Sequence, residues 1–223
     1  MEIFVSIPNF EEQKILITTA KRLIRLKEKI DIFEKEIAIN PKSAEKIQNK
    51  LNNMLLTLDE LTEAEKVRAL VRDGESKTVE FKQTFSVDVK TNKKEKYIEK
   101  MVLKTLVAFL NTEGGISLVG ISDDKNIIGI QGEIQKYYKN DDKFLLHLKN
   151  LIKSSIGENF YPFIDYRFVD IESCKILLIE CQPSDKPCYF ESKDFYVRIN
   201  PATDKLEGPK MVDYIQSHFK NKQ

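Results

Sequence analysis

The order of periodicities along the chain predicts an α+β fold. It has a mixed or antiparallel sheet with packed helices, preceded by an N-terminal antiparallel helical hairpin of coiled-coil type. Three observations carry this. Residues 16–61 repeat apolar side chains at alternating spacings of three and four, the period of a helical seam. Residues 78–130 place a short strand, a helical run and an apolar strand in succession. Residues 163–199 hold short strand-like runs broken by turn residues, before a last helix.

The first helix is expected over residues 10–38, with Leu16, Thr19, Leu23, Leu26, Ile30, Phe33 and Ile37 on its seam. Asn40 and Pro41 suit the cap and first position of a second helix, whose seam is Ala44, Ile47, Leu51, Met54, Leu58 and Leu61. So short a connection brings the helices back antiparallel. Ile15, Ile17, Ile24 and Ile32 lie outside the seam, more apolar surface than one partner helix covers. Either a second copy or the chain's own main domain must cover it. The width of the stripe favours a homodimer through residues 10–70. Helix continues to Asp73, and Gly74 suits its C-cap. The domains are therefore 1–73, an oligomerising hairpin, and 74–223.

In the second domain Thr78–Lys82 reads as a strand and Thr84–Asn92 as a loop. Lys96–Leu110 is a helix, stopped by Asn111-Thr112-Glu113-Gly114-Gly115. Ile116–Ile121 is a buried strand, and Asp124-Lys125-Asn126 turns it into Ile127–Ile130. Asp141 is expected to cap a helix reaching Ser155. The strand-like runs are Phe163–Ile171, Lys175–Cys181, Cys188–Phe190 and Phe195–Ile199, and a helix over 210–219 closes the domain.

Of the 223 residues 41% are hydrophobic and 32% charged, with a net charge of +1, so no global basic signature points to nucleic acid. Residues 1–74 hold 13 basic and 13 acidic side chains, whereas Lys77–Lys104 holds eight lysines against four acids, a local excess of +4. No apolar run is long enough to span a membrane, and the first fourteen residues carry no basic leader, so a cytoplasmic protein is expected. Cys174, Cys181 and Cys188 form no Cys-x-x-Cys pair and read as buried thiols rather than a zinc site. Gly114-Gly115 precedes a strand and lacks a following Gly-Lys-Ser/Thr, so a phosphate loop is excluded.

The period of two puts Glu80 and Lys82 on one face of their strand, with Phe81 on the other. If this strand neighbours Ile116–Ile121, Glu80 meets the acidic turn Ser122-Asp123-Asp124 at one end of the sheet, with Glu75 in the loop leading in. Three carboxylates and a lysine gathered there suit a divalent metal and a phosphodiester. Plain surface ion pairing and turn formation are the structural alternative.

The ordered blocks resemble the Schlafen-type, AlbA-like domain family. They are Glu75…Glu80-Phe81-Lys82, Ala108-Phe109-Leu110-Asn111-Thr112-Glu113-Gly114-Gly115, Gly120-Ile121-Ser122-Asp123-Asp124, Ile128-Gly129 and Phe195-Tyr196-Val197-Arg198 with Thr203. The resemblance covers about residues 75–219. It implies a nucleic-acid-binding fold and, from the family's ribonucleases, a catalytic and metal-binding triad at Glu75, Glu80 and Asp123, with Lys82 assisting. Asp124 stands as the alternative third ligand, because the turn to Gly129 is shorter here.

Two functions follow as expectations. One is an endonuclease using Mg²⁺ or Mn²⁺ on structured RNA, RNA being favoured over DNA. The other is a non-catalytic nucleic-acid-binding module with a dimerising hairpin. Lys90, Lys93, Lys94, Lys96 and Lys100 are the expected phosphate contacts. Arg198 is expected either to fork onto a phosphate, the preferred reading, or to pair with a sheet carboxylate. Tyr137 and Tyr138, beside Lys136 and Lys139, are candidates for base stacking, and His147 reads as an ordinary helix-face residue.

Overall fold

Two long helices open the chain, α1 (Phe10–Ile39) and α2 (Ala44–Asp73). The computed structural model describes residues 10–39, 44–171, 173–199 and 201–219. The turn expected at Asn40 and Pro41, and most of the seam side chains of both helices, lie outside what is described. Two compact units form, residues 1–59 and 60–223. In the first, Ile47 is buried and the Lys50 ammonium lies 5.7 Å from the centre of the Phe33 ring. Ile24, Ile32 and Ile39 on α1 are exposed.

The second unit begins at Glu60, whereas the sequence places the domain boundary at Gly74. The cause is packing: Ala64, Val67 and Val71, on the last turns of α2, are core residues of this unit. α2 then stops where expected. Gly74 takes φ of 92° and its amide donates to the Leu70 carbonyl at 2.9 Å.

A four-stranded sheet forms the centre, in the order β1 (Val79–Lys82), β4 (Gly115–Val119), β6 (Cys174–Cys181), β5 (Ile164–Ile171). β1 and β4 run parallel and the other neighbours antiparallel, so the sheet is mixed. The parallel pair needs a crossover, supplied by α3 (Lys96–Leu110). Along β6 successive apolar residues serve opposite faces. Leu177 and Ile179 join Leu103, Leu106, Phe144 and Leu148 of α3 and α5 (Asp141–Ser155), while Ile176 and Leu178 join Phe81 and Val67. That two-sided burial explains the unbroken apolar run. A separate hairpin, β7 (Phe195–Ile199) with β8 (Ala202–Leu206), packs Phe195 and Val197 against Phe219 of α6 (Gly208–Phe219).

Several local expectations change. The loop at 84–92 contains β2 (Val87–Asp88), which pairs with β3 (Lys93–Lys94). Ile127–Ile130 is no strand beyond one bridge, Ile121 to Ile127, because the Gly120 carbonyl takes both the Ile128 and Gly129 amides and curls the chain. Residues 131–138 form a short helix, α4 (Gln131–Glu133), running on as a π-helical turn, Ile134–Tyr138. Asn140, not Asp141, caps α5, accepting from the Lys143 amide at 2.9 Å. Cys188–Phe190 is not a strand, since the Cys188 amide is taken by Asn111.

Candidate functional site

β1 is an edge strand, and an open edge exposes peptide groups that must find partners. Thr78 and Lys82 direct their carbonyls to β4, which turns the groups of Val79 and Phe81 outward. The predicted site residues satisfy those outward groups. One Glu75 carboxylate oxygen accepts the Phe81 amide at 2.8 Å, and the Lys82 ammonium donates to the Phe81 carbonyl at 3.1 Å. The Val79 carbonyl receives the Ser76 amide at 3.0 Å and Arg198 at 3.3 Å.

Arg198, 2% exposed, crosses from β7 to this edge. Its guanidinium reaches Glu80 Oε2 at 2.5 Å, the Ser76 and Lys77 carbonyls at 3.1 and 3.3 Å, and Thr203 Oγ1 at 3.1 Å. The Phe109 ring lies 5.2 Å beneath it. Of the two readings of Arg198, pairing with a sheet carboxylate is the one present, because a guanidinium buried and bonded in this way has no surface to offer a phosphate. Glu80 Oε1 is held by Lys82. Each oxygen of Glu80 therefore faces a cation.

Asp123 stands apart. The strands are neighbours as expected, but Glu80 pairs in register with Ser117, in the middle of β4. Asp123 follows four residues after Val119, exposed in the turn that Ser122 closes through its backbone contacts with Asn126 and Lys125. Asp124 is exposed in the same turn. Among the described residues, no three His, Cys, Asp or Glu side chains gather around a point that suits a metal ion. As the side chains stand, the Glu75, Glu80 and Asp123 set does not fit a divalent ion, because Lys82 and Arg198 already hold both oxygens of Glu80.

The Asn-Thr-x-Gly-Gly segment braces this region. Asn111, fully buried, donates to the Cys188 and Tyr196 carbonyls and accepts from the Cys188 amide, each at 2.8 Å. Gly115 is obligatory: a Cβ there would stand 2.5 Å from the Phe109 ring. The hydroxyl of Ser117, beside Glu80 in register, is buried without a hydrogen-bond partner.

The five predicted phosphate contacts divide into two groups. Lys90, Lys93 and Lys96 are exposed and carry no ion pair among the described residues. Lys100 pairs with Glu191 at 2.7 Å. Lys94 is half-buried, 3.4 Å from Glu99 and 4.1 Å above the Tyr138 ring. Tyr138 itself is buried, its hydroxyl 2.8 Å from Ser86 Oγ and 3.1 Å from Glu99 Oε1, and burial pushes its phenol well above the ordinary value. It cannot stack on a base. Tyr137 is half-buried, its hydroxyl reaching the Asn92 carbonyl at 3.3 Å. His147 contacts Glu99 at 2.9 Å, and Glu133 takes the Phe85 and Ser86 amides at 3.0 and 2.7 Å. Cys181 and Cys188 are buried and Cys174 half-buried.

Sequence reasoning missed this polar network and also Tyr97 and Met101, large side chains that stand exposed. Their signal is spacing: both fall on the stripe of Lys100 and Lys104 rather than with Val102, Leu103 and Leu106. A cleft of about 790 Å³ where β1 and β4 begin is lined by Thr78, Gly115, Phe163, Asp165 and Glu180 among others. Its Asp165 and Glu180 are paired with Arg167, and it holds none of the predicted site residues.

The profile of the Schlafen, AlbA_2 family matches residues 75–207, more than half of the chain, and the protein belongs to that family. Among solved structures, the DIP2311 protein of Corynebacterium diphtheriae aligns at 17% identity with a TM-score of 0.45, over 64% of this chain and 27% of its own length. The N-terminal domain of an ATP-dependent DNA helicase RecG-related protein from Nitrosomonas europaea aligns at 16% identity and a TM-score of 0.38, over 65% of this chain and 86% of that one. The chain thus spans about a quarter of the first of these. Among the described residues no helix is long and apolar enough to cross a membrane.

Proposed function

We propose that this chain is a nucleic-acid-binding module of Schlafen type, which uses the β2–β3 hairpin and the start of α3 to hold phosphates. The observation that carries this is the placement of Lys90 and Lys93 on the hairpin and of Lys96 at the start of α3, all exposed and without ion-pair partners among the described residues. The Glu95 amide closes the base of the hairpin on the Ser86 carbonyl at 2.7 Å, while Glu133, taking the Ser86 amide, and Tyr137, reaching the Asn92 carbonyl, anchor it to the helical turn below. Lysines on a fixed support meet a backbone of regular charge without losing the order of a floppy loop. Structured RNA is the preferred ligand, and α1 with α2 forms an antiparallel hairpin that joins two copies. The exposed Ile24, Ile32 and Ile39 support the second statement.

A metal-dependent endonuclease is the second reading. One observation favours it: Glu75 is exposed and lends only one oxygen to the Phe81 amide, leaving the other without a partner among the described residues. It requires Lys82 to release Glu80. The test of both readings incubates the purified chain with tRNA, ribosomal RNA, single-stranded DNA and duplex DNA, with Mn²⁺, with Mg²⁺ and with chelator. Retention of nucleic acid without cleavage under every condition supports the module. Cleavage that chelator abolishes, and that Glu75→Ala also abolishes, supports the nuclease.

A further inference from the structure

The outward stripe of α3 carries Lys96, Tyr97, Lys100, Met101 and Lys104, and its inward side carries the buried Val102, Leu103 and Leu106. Tyr97 is 49% exposed and Met101 47%, four residues apart and so on one side of the helix. Val89, at the turn of the adjoining β2–β3 hairpin, is 57% exposed. Apolar surface left open between lysines is a different arrangement from a merely solvated helix face, where such positions are polar.

Tyr97 is also held. Its hydroxyl donates to Asp88 Oδ2, and the Asp88 carboxylate accepts the Lys90 and Thr91 amides at 2.8 and 3.0 Å. The Tyr97 bond, aided by these amides, keeps the Asp88 carboxyl below the usual carboxylate range, so the acceptor persists at neutral pH. One side chain thus fixes both the hairpin turn and the ring. A ring fixed by its hydroxyl loses little freedom when a flat partner settles on its face.

Of the acids nearby, Asp88 is bonded as described, Glu191 pairs with Lys100 and Glu99 with Lys94, while Glu95, half-buried, is next to Lys96 in the chain. Lys90, Lys93 and Lys96 are left to face an anion.

We infer that Tyr97, flanked by Met101 and Val89 and bordered by Lys90, Lys93 and Lys96, is a stacking platform for unpaired bases, so that the ligand is single-stranded RNA or DNA or an unpaired loop. This rests on the nucleic-acid reading above and narrows it. The chemistry selects against a duplex, whose bases are stacked on one another and present only phosphates to this surface. Every base has a face that an aromatic ring accepts, so recognition is tolerant of sequence, and stronger for purines because they stack better.

Binding of labelled oligoadenylate, as RNA and as DNA, and of a duplex of equal length is measured across a range of salt. Tyr97→Ala is expected to weaken single-strand binding about tenfold. It should leave duplex binding and the salt slope unchanged, since no cation is removed. Tyr97→Phe keeps the ring and loses the hydroxyl, and should bind like wild type within about threefold. The inference is overturned if Tyr97→Phe falls as far as Tyr97→Ala, which makes the hydroxyl and not the ring the working part. Equal losses on duplex and single strand, or no loss at all, overturn it too. So does polyglutamate that displaces the RNA and itself loses affinity with Tyr97→Ala, the mark of an acidic protein partner. Wild-type chain that binds neither nucleic acid refutes the broader reading as well, and is told apart by that result alone.

Discussion

At Arg198 and Glu80 the chain commits a buried charge pair. Arg198 is 2% exposed and the Glu80 side chain 12%, and the arginine also serves carbonyls of the β1 edge. Removing one partner of a buried pair leaves the other uncompensated, a loss of about 3 kcal/mol or more. Glu80→Ala should therefore lower the free energy of unfolding by that order in metal-free buffer, read from urea denaturation. A carboxylate crowded among other carboxylates and waiting for a cation makes the opposite forecast, because deleting it relieves repulsion and raises stability. The sign alone separates a bracing residue from a waiting ligand. The motif residues share this character: Asn111 joins the end of α3 to Cys188 and to β7, and Phe109 supports both Gly115 and Arg198. Their spacing was legible in the sequence. Their partners, more than seventy residues away in the chain for Asn111, were not, since nothing local announces who accepts a bond.

At the scale of elements, periodicity foretold what packing enforces. α3 and β1, β4, β5, β6 and β7 lie within a residue or two of their expected places, each having a buried stripe or face that imposes a period. β8 and the β2–β3 hairpin escaped, because Thr203-Asp204-Lys205 and Val87-Asp88 are mostly polar and are held by backbone pairing instead. The π-helical turn at Ile134–Tyr138 escaped for another reason: its Tyr138 is buried on Ser86 and Glu99, contacts that no local pattern encodes. The lysines of the hairpin and of the start of α3 now separate by environment. Replacing Lys90, Lys93 and Lys96 by Ala, singly, should each reduce the slope of log K against log salt by roughly 0.7 to 0.9 in nucleic-acid binding. Lys94→Ala should leave the slope nearly unchanged and instead lower stability, since its ammonium serves Glu99 and Tyr138. Filter binding in a salt series, paired with thermal denaturation, checks both.

For the whole molecule, the last turns of α2 are part of the 60–223 unit in charge as well as in packing. Arg167 on β5 binds Glu63 of α2 at 2.6 Å and Glu180 of β6 at 2.7 Å, while Lys66 of α2 binds Glu180. Partial burial raises the Glu180 carboxyl, but Lys66 and Arg167 outweigh it and hold the group below its ordinary 4.5. A folded value below the unfolded one means stability that is present above about pH 4.5 and lost as pH falls through the folded value. The difference in melting temperature between wild type and Glu180→Gln should therefore be largest near neutrality and vanish in acid. A chain begun at Gly74 lacks Glu63, Lys66, Ala64, Val67 and Val71 together, and uncovers Val79, Phe81, Leu118 and Leu178. Apolar strand surface of that kind associates without specificity. In sedimentation, the chain begun at Gly74 should be heterogeneous and of low melting temperature. One begun at Glu60 should be a well-folded monomer, and the full chain a dimer if the exposed isoleucines of α1 join two copies. A full chain that sediments as a monomer removes the dimer, and a Gly74 chain as stable as the Glu60 chain removes the role assigned to the last turns of α2.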